Sequence, residues 1–248
     1  MALNKPTASG IYLSVLALTV KDRQKAVLCR RITDEDELLQ NPEARERKTK
    51  EGKIVHEEYY DSIDALILGF TIKDATFNGE HIPKASWLVK MKDTSTGTDY
   101  ILQLPYSSGF SKTFLNALAW IAKNKPNAFS KPLRVRPWMM QDEKDKEKYW
   151  RGISVYLPPY TKEEKVAKLY DKEQMPAAVP ARYKGKDVWD DEEQMLWWEH
   201  KVFDQITPAI QAVAGEVAFD LVPGGMPADQ QDQIEAAGER TYPDDLPF

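Results

Sequence analysis

Between Ser62 and Pro158 the chain carries strand-like runs interrupted once by a helical pattern, and the order in which they come limits the folds open to it. Residues 64–77 hold the run Ala65 to Ile72, rich in aliphatic side chains, with Gly69 where a strongly bent strand takes a bulge. The stretches 85–92 and 99–106 flank the polar turn 93–98, with Gly97 in it, and read as a hairpin. Ser111 is a reasonable N-cap for a helix in which Phe114, Leu115, Leu118, Ile121 and Ala122 recur at helical spacing, closed by Lys123, Lys125 and Pro126. Two more strands follow, 133–140 and 150–157, separated by the charged stretch 141–148.

Three strands, a helix and two strands is the element order of the OB-fold, a five-stranded barrel whose exposed face and loops hold oligonucleotides. The expected fold is therefore mainly β, of the α+β kind, with an OB-type barrel and one helix between its third and fourth strands. Ahead of it, Ile11 to Val20 is an apolar run suited to a buried strand, 34–53 is a charge-dense loop or short surface helix around Pro42, and 53–60 adds a strand. Behind it, Thr161 and Glu164 form a capping-box pattern that predicts a short charged helix to about Tyr170. A further helix opens at Asp190, spaces Leu196, Phe203 and Ile210 seven apart, and meets Pro208, which should kink or end it. After Val222 the residues are polar and acidic with few apolar ones, a composition that cannot build a core. The expected division is an OB domain with an N-terminal extension over 1–160, a helical extension over 161–222 and a disordered acidic tail over 223–248.

Charge divides the chain in the same direction. Residues 1–186 carry 32 Lys and Arg against 24 Asp and Glu, a net +8, whereas residues 187–248 carry 2 against 15, a net −13. A basic body joined to an acidic end is expected when one part touches a polyanion and the other repels or mimics it.

The end of the sequence reads Tyr242-Pro-Asp-Asp-Leu-Pro-Phe248. Asp244, Asp245, Pro247 and Phe248, with Leu246 in place of Ile, resemble the acidic tip of bacterial single-stranded DNA-binding proteins, Asp-Asp-Asp-Ile-Pro-Phe; Pro243 replaces the first Asp. The resemblance implies that Asp244, Asp245, Leu246, Pro247 and Phe248 recruit replication and recombination proteins such as polymerase, primase, helicase and nuclease to a coated strand. Physically, Phe248 can fill an apolar pocket, its carboxylate can meet an Arg or Lys, and the two aspartates can steer toward a basic rim. About 60 residues precede the OB-like region and the linker is short, departures from the bacterial pattern that favour a phage-encoded relative acting in the host cytoplasm. A homo-oligomer is compatible with the resemblance.

Single-strand binding needs cations to follow phosphates and aromatic faces for bases to stack on. In 133–140, Arg134, Arg136 and Trp138 alternate onto one face while Leu133, Val135 and Met139 point the other way. Lys84, Lys90 and Lys92 share a parity opposite Trp87, Val89 and Met91, which places the lysines outside and Trp87 in the core. Trp150 and Tyr156 share a face of the last strand, with Arg151 beside them, and Trp120 on the helix reads as core. These nine cationic and aromatic residues, Lys84, Lys90, Lys92, Arg134, Arg136, Trp138, Trp150, Arg151 and Tyr156, are the expected strand-binding set.

Other classes find less support. The sequence has no phosphate-binding glycine loop, no G-x-S-x-G elbow and no HExxH helix, so an enzyme is not expected. With a lone Cys29 and three scattered histidines neither a disulfide nor a metal site is expected, and no cofactor is implied. No apolar run approaches the roughly 18 residues a membrane span needs, and no signal-peptide pattern stands at the start, so a cytoplasmic chain is expected. The alternatives are an acidic adaptor or DNA mimic that sequesters host factors, a strand-annealing accessory, and a metal-dependent nuclease.

Overall fold

A computed structural model describes residues 11–20, 23–49, 52–77, 80–146, 148–183 and 186–214; the expected disordered tail 223–248, with the tip Asp244 to Phe248, lies outside the described residues. The chain is mainly β. Its strands are β1 (Ile11–Val20), β2 (Arg23–Ile32), β3 (Arg45–Lys48), β4 (Ile54–Tyr60), β5 (Ile63–Phe77), β6 (Glu80–Lys92), β7 (Asp99–Pro105), β8 (Leu133–Gln141) and β9 (Tyr149–Tyr156). They form one mixed sheet in the order β3-β4-β2-β1-β7-β6-β5-β8-β9. A short helix, α1 (Glu35–Gln40), leads into β3, and α2 (Gly109–Asn124) connects β7 to β8. A separate hairpin, β10 (Val179–Tyr183) and β11 (Lys186–Asp190), precedes α3 (Glu192–Lys201), a π-helical turn Val202–Ile206 and α4 (Thr207–Ala214).

The middle of the sheet is a Greek key. Strands β5, β6 and β7 follow one another antiparallel, and β8 returns through α2 to pair with β5, giving the spatial order β8-β5-β6-β7. The expected bulge is present, a register shift between Ile67 and Gly69. The closed five-stranded barrel is not. The outer edge of β7 is taken by β1, which runs parallel to it from Ile11↔Tyr100 to Ser14↔Gln103, so β9 has no strand left to close against and ends the sheet. The sheet nevertheless curls enough to bring β2 against β8 without a ladder between them.

One face of the sheet holds the main core. Leu13, Leu28, Ile67, Trp87, Val89, Met91, Leu102, Leu104, Val135 and Val155 meet Phe114, Leu115, Leu118 and Ile121 of α2, and Met195, Trp198, Val202, Ile206 and Ile210 from the C-terminal helices complete the same cluster. Trp87 is core, as its parity predicts; Trp120 is only partly buried at the edge of this cluster, with the Lys125 ammonium 5.9 Å from its ring. On the other face, Leu16, Val27 and Cys29 form a small cluster beside Tyr59. Next to it the fully buried Glu57 carboxylate takes two hydrogen bonds from Arg47, at 2.8 and 2.7 Å, and one from Tyr59 at 2.9 Å. Burial alone would raise the Glu57 carboxyl, but these hydrogen bonds and the charges of Arg47 and Arg31 outweigh it and hold the group below its usual range.

Three local expectations change. Helix α2 begins at Gly109, with Ser108 as the cap and Ser111 as the reciprocal partner of a capping box. Residues 161–170 form no helix, because Glu164 and Val166 hydrogen-bond the edge of β9: the Leu157 N–H donates to the Glu164 carbonyl and the Val166 N–H to the Val155 carbonyl, at 3.0 and 2.9 Å. At Pro208 the helix continues without a break, and the π turn just before it absorbs the missing donor. Among the described residues no helix is long and apolar enough to cross a membrane.

Candidate nucleic-acid interface

Partners in an antiparallel ladder turn their side chains to the same face. Along β8 and β9 the pairs are Arg134↔Tyr156, Arg136↔Ser154, Trp138↔Gly152 and Met140↔Trp150. Arg134, Arg136, Trp138, Trp150 and Tyr156 therefore share one face, the one turned away from core residues Leu133, Val135, Ile153 and Val155. Strand β5 continues it, since Asp64 pairs with Arg134 and Leu66 with Lys92, and Lys90, two residues before Lys92, turns the same way. At the far edge the bridge Tyr156↔Lys165 adds another cation to this face.

The aromatic residues are held by identifiable contacts. Trp138 lies over Gly152: a Cβ built there would stand 2.6 Å from Cζ2 of the indole and 2.7 Å from Thr113 Oγ1 of α2. Thr113 Oγ1 accepts the Ile153 N–H at 2.8 Å, so α2 fixes the same point of β9 on which the indole rests. Trp150 has the Lys148 ammonium 4.8 Å from its ring centroid and hydrogen-bonds Asp142. The N–H groups of Lys144 and Asp145 hold the Asp142 carboxyl below its usual range, and the Trp150 hydrogen bond and the Lys148 charge add to them. Arg136 is exposed, and among the described residues neither it nor Lys92 is in an ion pair.

Arg134 is already engaged. Its Nε and Nη2 each meet the Asp64 carboxylate at 2.7 Å, and its guanidinium lies 4.4 Å from the Tyr160 ring centroid. It orients Tyr160 and reaches a phosphate only by leaving Asp64.

Two of the expected residues lie elsewhere. Lys84 has a positive φ of 49° inside the second register shift of the β5–β6 pair, between Ile82 and Ser86, so the alternation that groups it with Lys90 and Lys92 is broken. Its ammonium meets Glu199 of α3 at 2.7 Å, where Tyr106 also donates to that carboxylate, and it serves to dock the helix. Arg151 pairs with Met139 and projects to the face opposite Trp138, as a sequence neighbour of Trp150 must. Lys148, Tyr160 and Lys165 were not in the expected set. Lys148 sat in a loop of mixed charge, and Lys165 joins the face only through a bridge that sequence periodicity does not show.

The assembled face carries Lys90, Lys92, Arg136, Lys148 and Lys165 around Trp138, Trp150 and Tyr156. Of the carboxylates on or beside it, Asp64 and Asp142 are held by Arg134 and by backbone N–H groups, while Asp99 stands opposite Lys92 in the ladder. Such a surface can hold phosphates on its cations while bases stack on its rings. No protein-family model matches the chain, and no curated protein or solved structure matches it. The chemistry of this face is therefore what a functional reading has to stand on.

Proposed function

We propose that this chain is a single-stranded DNA-binding protein of the phage type, which coats and protects single strands in replication, recombination and repair. The strand would run over the outer face of β8 and β9 toward β5 and β6. The observation that carries the reading is the grouping of Arg136, Trp138, Trp150 and Tyr156 on one side of the β8–β9 hairpin, with Lys148 at one end and Lys165 at the other. Stacking rings interleaved with cations suit a flexible strand, whose bases are free to turn onto the rings, better than a duplex, whose bases are already stacked. The Greek-key order β8-β5-β6-β7 supports a second part of the proposal, that β5 to β9 with α2 form an OB-type unit kept open by β1. Residues Asp244 to Phe248 form the proposed recruiting tip, through which polymerase, primase, helicase or nuclease would be brought to the coated strand.

The test is a salt titration of binding to fluorescent oligo-dT, single strand against duplex, with the full chain and with a form lacking Asp244 to Phe248. The expected result is single-strand binding that discriminates against duplex, falls with salt and survives loss of the tip. Absence of single-strand binding would overturn the reading and leave the acidic adaptor in its place.

A further inference from the structure

We propose that the single-strand path continues past the sheet, over α2, onto a second aromatic platform made by Tyr170 and Trp197, with Lys201 as its cation; the inference rests on the single-strand reading of the β8–β9 face. Tyr170 and Trp197 are half-buried, their rings meet edge to face at 4.7 Å, and the buried Trp198 backs both, at 6.0 and 4.9 Å. The Lys201 ammonium lies over both half-buried rings, 5.4 Å from the Tyr170 centroid and 5.0 Å from that of Trp197. A cation over an exposed ring contributes little in water and is readily exchanged. A base stacking on either ring would release the ammonium to a neighbouring phosphate, which replaces two weak cation–π contacts with a base stack and a charge-assisted phosphate contact.

The platform is fixed in position and joined to the first. After Lys165 pairs with Tyr156, the chain passes along the edge of β9 and is gripped by Asn116 of α2. The side-chain oxygen of Asn116 accepts the N–H groups of Leu169 and Tyr170 at 2.8 and 2.9 Å, and its amide donates to the Tyr170 carbonyl at 2.8 Å. Asn116 is 3% exposed, so these three bonds are shielded from water and hold the Tyr170 backbone firmly. Asn116 comes three residues after Thr113, which stands against Gly152 where Trp138 rests, a rise of about 4.5 Å along the helix. The face residue Lys165 stands between the two platforms in sequence, where it can meet a backbone crossing from one to the other.

The experiment uses the full chain, Lys201→Glu and Tyr170→Leu, with oligo-dT of about 6 and about 24 nucleotides, the first within and the second beyond the roughly 4–16 nucleotides that one OB-type face covers. Circular dichroism and thermal unfolding establish that the variants are folded. The expected result is unchanged affinity for the shorter strand, a loss of at least about fivefold for the longer one, and a shorter occluded length on poly-dT. If the parent chain binds neither strand, the single-strand reading itself fails. If the parent binds both and the folded variants bind the longer strand as it does, or lose both lengths equally, the second platform is wrong and the sheet reading stands.

Discussion

A tryptophan resting on a glycine leaves no room for another carbon. At Gly152 the added Cβ would come within 3 Å of both the Trp138 ring and Thr113 Oγ1, and the hydroxyl is held by the Ile153 N–H, so relief has to come from the indole. Gly152→Ala is expected to lower stability by about 1–3 kcal/mol, as over-packing does, and to lower single-strand affinity with it; thermal unfolding and oligo-dT titration on one preparation read both. An unchanged melting temperature would mean that the ring is not pinned there. Trp138 and Arg136 should then separate stacking from charge. Trp138→Leu should weaken binding by roughly 1–3 kcal/mol at every salt concentration, whereas Arg136→Ala should reduce the slope of log affinity against log salt by about 0.7. Identical effects on the slope would show that Trp138 does not act as a stacking surface.

At the scale of elements, the clearest electrostatic dependence lies in β3 and β4, which Arg47 and Glu57 fasten together at the sheet edge opposite β9. Because folding lowers the Glu57 carboxyl below its ordinary value of 4.5, its contribution is complete above that pH and is lost as pH falls through the lower folded value. Glu57→Gln is expected to cost on the order of 3 kcal/mol at neutral pH by leaving buried guanidinium without its carboxylate. The gap to the parent chain should narrow below about pH 4.5, and denaturant unfolding between pH 3 and 7 checks the sign. A gap that widens in acid would contradict it. The same element was only half legible in the sequence. Residues 53–60 read as a strand, but β3 is four charged residues, Arg45–Lys48, whose strand conformation comes from pairing with β4 and not from propensity. Strand β2 escaped notice because its apolar stretch, Ala26 to Cys29, is only four residues long and is buried on both faces, which erases the period-two pattern. Conversely β5 to β9 and α2 were legible because each has an apolar face of ordinary length bounded by turn residues. The capping box at Thr161 misled because β9 offered the backbone better partners than a helical turn.

For the whole molecule, the sequence pattern located β1, β4 to β9 and α2 and left their order in the sheet open. Nothing in Ile11 to Val20 announces that it will lie parallel to β7, yet that pairing is what keeps the sheet from closing. The candidate face was legible to the extent that strand alternation held: Arg136, Trp138, Trp150, Tyr156, Lys90 and Lys92 are together, while Lys84 dropped out at a register shift. The division of charge also acts at this scale. Residues 1–186 are net +8, and the segment 223–248 carries six acidic residues against one Arg, a net −5, on the same chain as the cationic face. If the cationic face binds a strand, tethering would make that segment a competitor of millimolar-scale effective concentration for the same surface. A chain ending at Val222 is therefore expected to bind oligo-dT more tightly than the full chain at low salt. The difference should close as the Debye length shrinks from roughly 30 Å at 0.01 M toward 3 Å at 1 M, because an attraction that depends on a few carboxylates is screened while stacking on Trp138 and Trp150 is not. Titrations of both chains across that salt range decide the matter, since a truncated chain that binds no more tightly at any salt concentration would mean that the acidic segment does not reach the face at all.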